Sequence, residues 1–406
     1  MRKYLTTAMA IALMSGVSYA DLQNVEVGAE IRIRGNSYFN ADGGFDVGTD
    51  GSHDQFTEQY TAVSVNADFT DDVSAHITFN HYGNWGEDNY EYEDSSIDLY
   101  EANIVLEDAF AGVDLKIGRQ EVLLGSEFLV GNENTASFFQ HQSFDGIRAD
   151  YGADAWHVSI ATLKLVENDA FSTNVDNDVD FNFIYGTYTG IENHTIDAYV
   201  MQLREGIPGN DNDELLTIGA RAAGNFGNFD YELEIATQSG DNPGSDYEGD
   251  AVNLEVGYSF DTNMQPRVFA GYTTFSGSDD EEGFDRLFSD WEYSEFLGDG
   301  DITNVNIMRL GVSANVTEKI GLTAVISSFE IDDVDAGGIG NDFDSYDGTD
   351  DDLGTEIGLY ATYQYSEDVA VEVGAATLLL GDSSKNELEP NDEDPIYVYA
   401  EISLSF

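Results

Sequence analysis

Six histidines, an absence of cysteine and one serine–histidine–aspartate trio are the first groups to weigh for chemistry. His53, His76, His81, His141, His157 and His194 show no metal-ligand spacing. Without cysteine there is no thiolate metal site, no disulfide framework and no thiol nucleophile. His141, Ser143 and Asp145 are neighbours along the chain, but a triad is assembled in space, so their proximity carries no catalytic weight. The stretch Gly337-Gly338-Ile339-Gly340-Asn341-Asp342-Phe343-Asp344 overlaps the calcium nonapeptide repeat, yet Asp344 occupies its apolar position and no second copy stacks against it. What is left is loose Ca²⁺ or Mg²⁺ binding by clustered carboxylates, with Asp342, Asp344 and Asp347 as candidates, set against a simply solvated acidic surface. Neither catalysis nor a cofactor is expected.

The basic residues are more informative because they are few. The chain has 15 Lys and Arg against 79 Asp and Glu, a formal charge of −64, which repels phosphate backbones and excludes a nucleic-acid partner. With 41% hydrophobic residues and only 5 prolines it does not read as a disordered polyelectrolyte. Arg32, Arg34, Lys116, Arg148, Arg221, Arg267 and Arg309 all fall out of phase with the apolar residues around them. Phase matters because the apolar residues alternate strictly. Val25, Val27, Ala29, Ile31 and Ile33 interleave with Glu26, Gly28, Glu30, Arg32 and Arg34, and period two places the two sets on opposite faces of a strand.

The alternation recurs from end to end. Leu216 to Phe226 and Phe229 to Ile235 flank Gly227-Asn228 as a two-residue hairpin, and Ile396 to Phe406 alternates to the last residue. Counting such segments gives eighteen strands, most of them meeting the ~9 to 11 residues that a tilted strand needs to cross a bilayer. No apolar run after residue 20 approaches the ~18 residues of a membrane helix. Short turns alternate with nine long connections, and aromatics gather beside the short turns: Phe69, Tyr151, Trp156, Phe226, Phe229, Phe260, Tyr363, Tyr365 and Phe406. This is the pattern of an all-β, transmembrane, antiparallel barrel with short periplasmic turns and long extracellular loops in a bacterial outer membrane. Residues 1–20, with Arg2 and Lys3, the apolar Leu5 to Val17 and Ser18-Tyr19-Ala20, read as a secretory signal. Residues 21–406 then form the single barrel domain, with outer-membrane lipid and lipopolysaccharide as neighbours.

In such a barrel the out-of-phase bases face the lumen, since a charge on the lipid face costs ~2 to 4 kcal/mol at the midplane. They form either a basic track for anionic solutes or a set of structural ion pairs with carboxylates such as Glu30, Glu101, Asp230, Glu232, Glu234 and Glu372. Arg119 is the exception. In Val113-Asp114-Leu115-Lys116-Ile117 the odd residues face lipid, so a bulge or strand end at Gly118 is expected to turn Arg119 inward. The nine long loops hold 46 acidic residues against only Arg286 and Lys385, an acidic mouth. The loop from Leu123 to Gln142 differs: its only charges are Glu127 and Glu133, and it carries Phe128, Leu129, Val130, Phe138 and Phe139. An apolar patch of this kind is expected either to fold into the barrel as a constriction or to pack over its rim.

The run Leu115-Lys116-Ile117-Gly118-Arg119-Gln120-Glu121, then Gly125, then Ser143-Phe144-Asp145-Gly146-Ile147-Arg148, resembles the alginate-export porin family. Phe284 to Glu295 and Asn304 to Phe329 are similar to it as well. The resemblance implies an eighteen-stranded outer-membrane barrel and a channel for anionic or sugar-derived solutes, with Arg119, Asp145 and Arg148 at the family's recurring charged positions. It also brings an arginine-rich lumen and a long periplasmic plug, which the few bases and short inner turns here lack. Passive diffusion of small hydrophilic solutes, sugar acids or oligosaccharides among them, is therefore the primary reading. A surface or adhesion barrel with cation-binding loops and a blocked lumen is the alternative.

Overall fold

In a computed structural model the described residues are 24–42, 46–47, 53–86, 97–132, 141–167, 178–206, 213–242, 245–278, 283–297, 302–336, 339, 350–385 and 393–406. Residues 1–20, read from sequence as a secretory signal, and the candidates Glu133, Phe138, Phe139, Asp342, Asp344 and Asp347 lie outside them.

Eighteen strands form one antiparallel sheet. In chain order they are β1 (Asn24–Phe39), β2 (His53–Thr70), β3 (Val73–Asn84), β4 (Asp98–Phe110), β5 (Val113–Gln120), β6 (Phe144–Ala153), β7 (Trp156–Val166), β8 (Val179–Ile191) and β9 (His194–Glu205). There follow β10 (Asp213–Phe226), β11 (Phe229–Asn242), β12 (Ser245–Ser259), β13 (Arg267–Phe275), β14 (Val305–Thr317), β15 (Ile320–Ile331), β16 (Asp352–Gln364), β17 (Val369–Leu380) and β18 (Ile396–Ser405). Each strand pairs with its sequence neighbours, and β1 pairs with both β2 and β18, so the sheet closes on itself and has no edge. The last pairs of the seam are Ala29 N–H to Phe406 O, 3.0 Å, and Phe406 N–H to Ala29 O, 3.1 Å. Closure is what lets a sheet sit in hydrocarbon, where an unpaired backbone group has no water to turn to.

The two-residue hairpin is present, with Phe226 opposite Phe229. The longest inner turn, Phe260 to Pro266, is longer than the sequence pattern implied, because β12 stops at Ser259 and β13 starts only at Arg267. Beside the inner turns Trp156, Phe226, Phe229, Tyr365 and Phe406 are exposed on the outer surface, as an interfacial aromatic girdle requires. Higher up, the outward residues are apolar and exposed, for example Ile160, Ile184, Val200, Ile218, Ile326 and Val398.

Arg119 corrects the expectation made for it. β5 keeps register through Gly118, which faces Asn103 on β4 and Gly146 on β6, so no bulge turns the chain. Arg119 therefore stays on the outward parity of Ile117, and Asp145 directly opposite on β6 shares it, so neither lines the lumen. Their side chains form a bidentate pair, Nε to Oδ1 2.9 Å and Nη2 to Oδ2 2.7 Å, with 42% and 52% of each exposed. Both lie one residue from a strand end, where the cost of an outward charge falls to ~0 to 1 kcal/mol, and a neighbouring carboxylate offsets it further.

Gly118 is required for a different reason than a bulge. Its φ is +124°, and a Cβ there would lie 2.3 Å from the Ala102 carbonyl oxygen on β4. Gly118→Ala should destabilise the barrel by about 1–3 kcal/mol through backbone strain alone. A lowered temperature for loss of the folded, fast-migrating form in semi-native gels would show this.

Candidate functional site

The inward face of the wall is polar toward the inner end and aromatic toward the outer end. Across the seam, Arg34 lies opposite Glu401, and Arg32 lies one inward position below it. Glu401 binds both guanidinium groups, at 2.9 Å to Arg32 Nε and 2.8 Å to Arg34 Nη2. Arg34 is fully buried and also lies over the Tyr399 ring, 4.4 Å from its centroid. Lys116 and His76 share Glu101, Arg148 holds Asp150 at 2.8 Å, and Arg221 bridges Asp197 and Glu232 at 2.9 Å each. Arg267 joins Asp230 to Glu255, whose second oxygen is 3.5 Å from Arg309.

All seven out-of-phase bases thus point inward, and each has a carboxylate partner. Further inward carboxylates are held by neutral donors: Glu58 accepts from Asn36 and Tyr82, Glu372 from Tyr399, and Glu356 from Ser294. Among the described residues, lumenal carboxylates outnumber lumenal bases.

Two loops enter this space and zip together. Residues 121–132 follow β5, and residues 283–297 lie between β13 and β14. Val130 and Phe288 form an isolated parallel bridge, with Phe288 N–H donating to Leu129 O at 2.9 Å and Gly131 N–H to Phe288 O at 2.7 Å. Asp290 N–H donates to Glu127 O at 3.1 Å, and the Trp291 indole to Ser126 O at 2.6 Å. Phe128 stacks on Phe275 at 5.5 Å, and Phe288 stands edge-on to Phe144 and Phe181, each at 5.0 Å. Phe128, Leu129 and Val130 are buried with Phe284, Phe296 and Leu297 in one cluster inside the barrel. Such burial is what the apolar composition of residues 123–130 demanded. The turn into it needs Gly125, whose φ is +60° and whose Cβ would meet the Tyr185 hydroxyl at 2.5 Å.

The second loop was not singled out from sequence as an inward element. Its signal was present, since Phe284, Leu287, Phe288, Trp291, Tyr293, Phe296 and Leu297 make it at least as apolar as the first. Ten acidic residues between 276 and 301 masked it in a loop-wide charge count. Arg286, one of the two loop bases, is buried within it, donating to Ser289 Oγ at 2.9 Å and to Trp291 O while lying 4.8 Å from the Phe275 ring centroid. Burial raises the Glu295 carboxyl above its ordinary range, opposed by the Tyr360 hydroxyl that donates to it at 2.9 Å. Glu127 is raised by burial too.

Against the β14–β18 wall the second loop leaves a polar chamber of about 430 Å³, lined among others by Glu292, Tyr293, Glu295, Arg309, Glu356, Tyr360, Glu372 and Tyr399. A second space of about 340 Å³, toward the inner turns, shares Tyr360 and Glu372 with it and is lined further by Gln265, Asn315, Thr323 and Thr362.

A family model described as alginate export matches residues 23–395. The chain belongs to the alginate-export family. It is an outer-membrane barrel, and crystal structures of Pseudomonas aeruginosa outer-membrane proteins share its fold. OccK11 (OpdR) superposes with a TM-score of 0.62 at 12% identity, covering 95% of this chain and 97% of that one. OpdO gives 0.61 at 14% identity over 95% and 98%, and OccD3 (OpdP) 0.60 at 11% over 95% and 92%. No curated protein matches the chain by sequence. Of the three charged residues singled out by the resemblance, Arg148 of this alginate-export family member faces inward, whereas Arg119 and Asp145 are paired outside.

His141 closes the first loop against the wall. Its ring stacks on Tyr60 at 4.2 Å and stands edge-on to Tyr100 at 5.2 Å, and neither ring nitrogen has a hydrogen-bond partner among the described residues. Burial, helped by Arg32, pushes its pKa from 6.5 down to about 4. An unfolded or opened loop takes up a proton below pH 6.5, the packed loop only below about 4, so acidification across that window favours opening. Channel noise and thermal stability measured from pH 7 to pH 4 should show this loss, and His141→Phe should remove it. Phe288→Ala, which empties the contact holding both loops, should weaken the packed state by about 3–5 kcal/mol and raise single-channel conductance.

Proposed function

We propose that this member of the alginate-export family is a passive diffusion channel for small hydrophilic solutes, with a lumen that favours cations and neutral polyhydroxy compounds over polyanions. The observation that carries the reading is the pairing of all seven lumenal bases. A paired guanidinium contributes little to the potential at a distance, so the field in the chamber is set by the carboxylates that neutral donors hold, Glu372 among them. The acidic outer loops add the same sign at the mouth, concentrating small cations at low salt. Tyr360, half-buried and shared by both spaces, supplies an aromatic face against which a sugar ring can slide.

Passage involves no covalent step and no cofactor. The chamber beneath the loops and the space next to it favour this reading over a surface barrel with a blocked lumen. Small sugar acids remain substrates only insofar as their hydroxyls outweigh one negative charge, whereas a polyuronate meets repulsion at every unit.

Purified protein in planar bilayers should give discrete conductance steps and a reversal potential of cationic sign in a salt gradient. Glu372→Gln should lower the cation-to-anion permeability ratio about sixfold at low salt, since one charge at roughly 8 Å in a water-like medium favours a cation and disfavours an anion by ~0.5 kcal/mol each. Arg148→Ala should leave the sign unchanged. An anionic reversal potential would sink the selectivity, and an absence of steps would sink the channel.

A further inference from the structure

The outer surface carries a row of charges that the channel does not use. Following the register from strand to strand, Arg119 on β5 faces Asp145 on β6, Asp145 faces Lys164 on β7, and Lys164 faces Asp180 on β8. Asp180 in turn faces Arg204 on β9, and Arg204 faces Glu214 on β10. Six adjacent strands thus present one charge each, in strict alternation of sign, near their outer ends. All six share the outward parity of Ile117, Ile147, Ile160, Ile184, Val200 and Ile218. Neighbours along the row are ion-paired: Arg119 with Asp145 at 2.7 Å, Lys164 with Asp180 at 3.0 Å and Arg204 with Glu214 at 3.2 Å.

The row beneath the centre is polar as well, because Thr162 faces Asn182 and Asn182 faces Gln202. Elsewhere the outward positions near the outer ends are apolar or aromatic at Phe39, Phe79, Tyr272 and Leu379 and polar at Gln59, Thr61, Thr237 and Asp250, but among the described residues they carry no comparable run of alternating charges. On β7 to β9 the apolar stretch is shorter, ending at Ile160, Ile184 and Val200.

Charge order selects the occupant. A phosphorylated lipid headgroup meets as many acids as bases along this row, and Lys164 has Glu167 and Asp178 beside it besides Asp180, so an anion is not favoured there. A row of six alternating charges is instead complementary to itself reversed. Two copies inserted in the same direction are related by a two-fold axis along the membrane normal, which reverses the row of one relative to the other. With the axis between β7 and β8, Lys164 faces Asp180 of the second copy, Asp145 faces Arg204, and Arg119 faces Glu214, so every base meets an acid. At ~4.8 Å per strand the inner four charges span only about 14 Å, narrow enough for two curved walls to bring them within reach. Thr162 and Asn182 meet below them as a donor and acceptor pair.

We infer that this face, centred between Lys164 and Asp180, is the contact between two copies of this chain in the outer membrane. Because the chain has no cysteine, single cysteines report the contact without background. Thr162→Cys and Asn182→Cys, one on each side of the axis, should each give a disulfide-linked pair of copies on mild oxidation of native outer membranes. Leu310→Cys, exposed on the opposite wall, should not. Asp180→Arg sets like charges face to face and should cut the Thr162→Cys cross-link at least tenfold. Adding Lys164→Glu restores the reversed match and should restore the cross-link. Semi-native gel mobility verifies that each variant is folded. Equal cross-linking through Leu310→Cys, a yield indifferent to Asp180→Arg, or a native mass of one copy with or without bound glycolipid would each overturn the inference.

Discussion

A backbone N–H or C=O left unpaired in hydrocarbon costs several kcal/mol, and no water is there to relieve it. The pairing of β1 with both β2 and β18 removes that cost for every strand at once, and most other features follow from it. A closed sheet has two faces and no edge, so the period of two becomes a strict sorting of side chains into lipid and lumen. The seam itself is secured on the lumenal side by Glu401 holding Arg32 and Arg34, two charges from the first strand bound by one from the last.

Sorting by parity explains why the few bases matter more than the many acids. A lumen of limited width brings inward charges from neighbouring strands within a few ångströms, and a base there gains a partner more readily than it gains water. Arg221 and Arg267 each bridge two carboxylates. The outcome is a wall whose bases serve structure and whose remaining carboxylates set the field. The two inward loops complete the site by burying aromatic residues that would otherwise face water, and they confine the polar passage to the β14–β18 side.

Arg119 shows how far a one-strand argument reaches. Its parity was legible, but the midplane penalty was applied to a residue that lies one position from a strand end, and the arrangement required Asp145, 26 residues away, to arrive opposite it at the same height. Strand register decides that, and register depends on turn geometry and on every pair in between. Lys164 and Arg204 are the same case: each looks like an isolated outward base until the register sets Asp180 and Glu214 beside it. The loop at 283–297 was obscured for another reason. Its charges and its apolar anchors are interleaved, so only the packing of Phe288 and Trp291 separates the half that turns inward from the acids around it.

The sequence by itself determined the strand number, the alternation of short and long connections, and the inward direction of seven bases, because all three depend on local period and on hydrophobicity, which act residue by residue. Tertiary structure alone decided which carboxylate each base meets, that two distant loops zip inside the barrel, and that six charges line up across β5 to β10. Those depend on distances between residues far apart in the chain, which exist only once the sheet has closed.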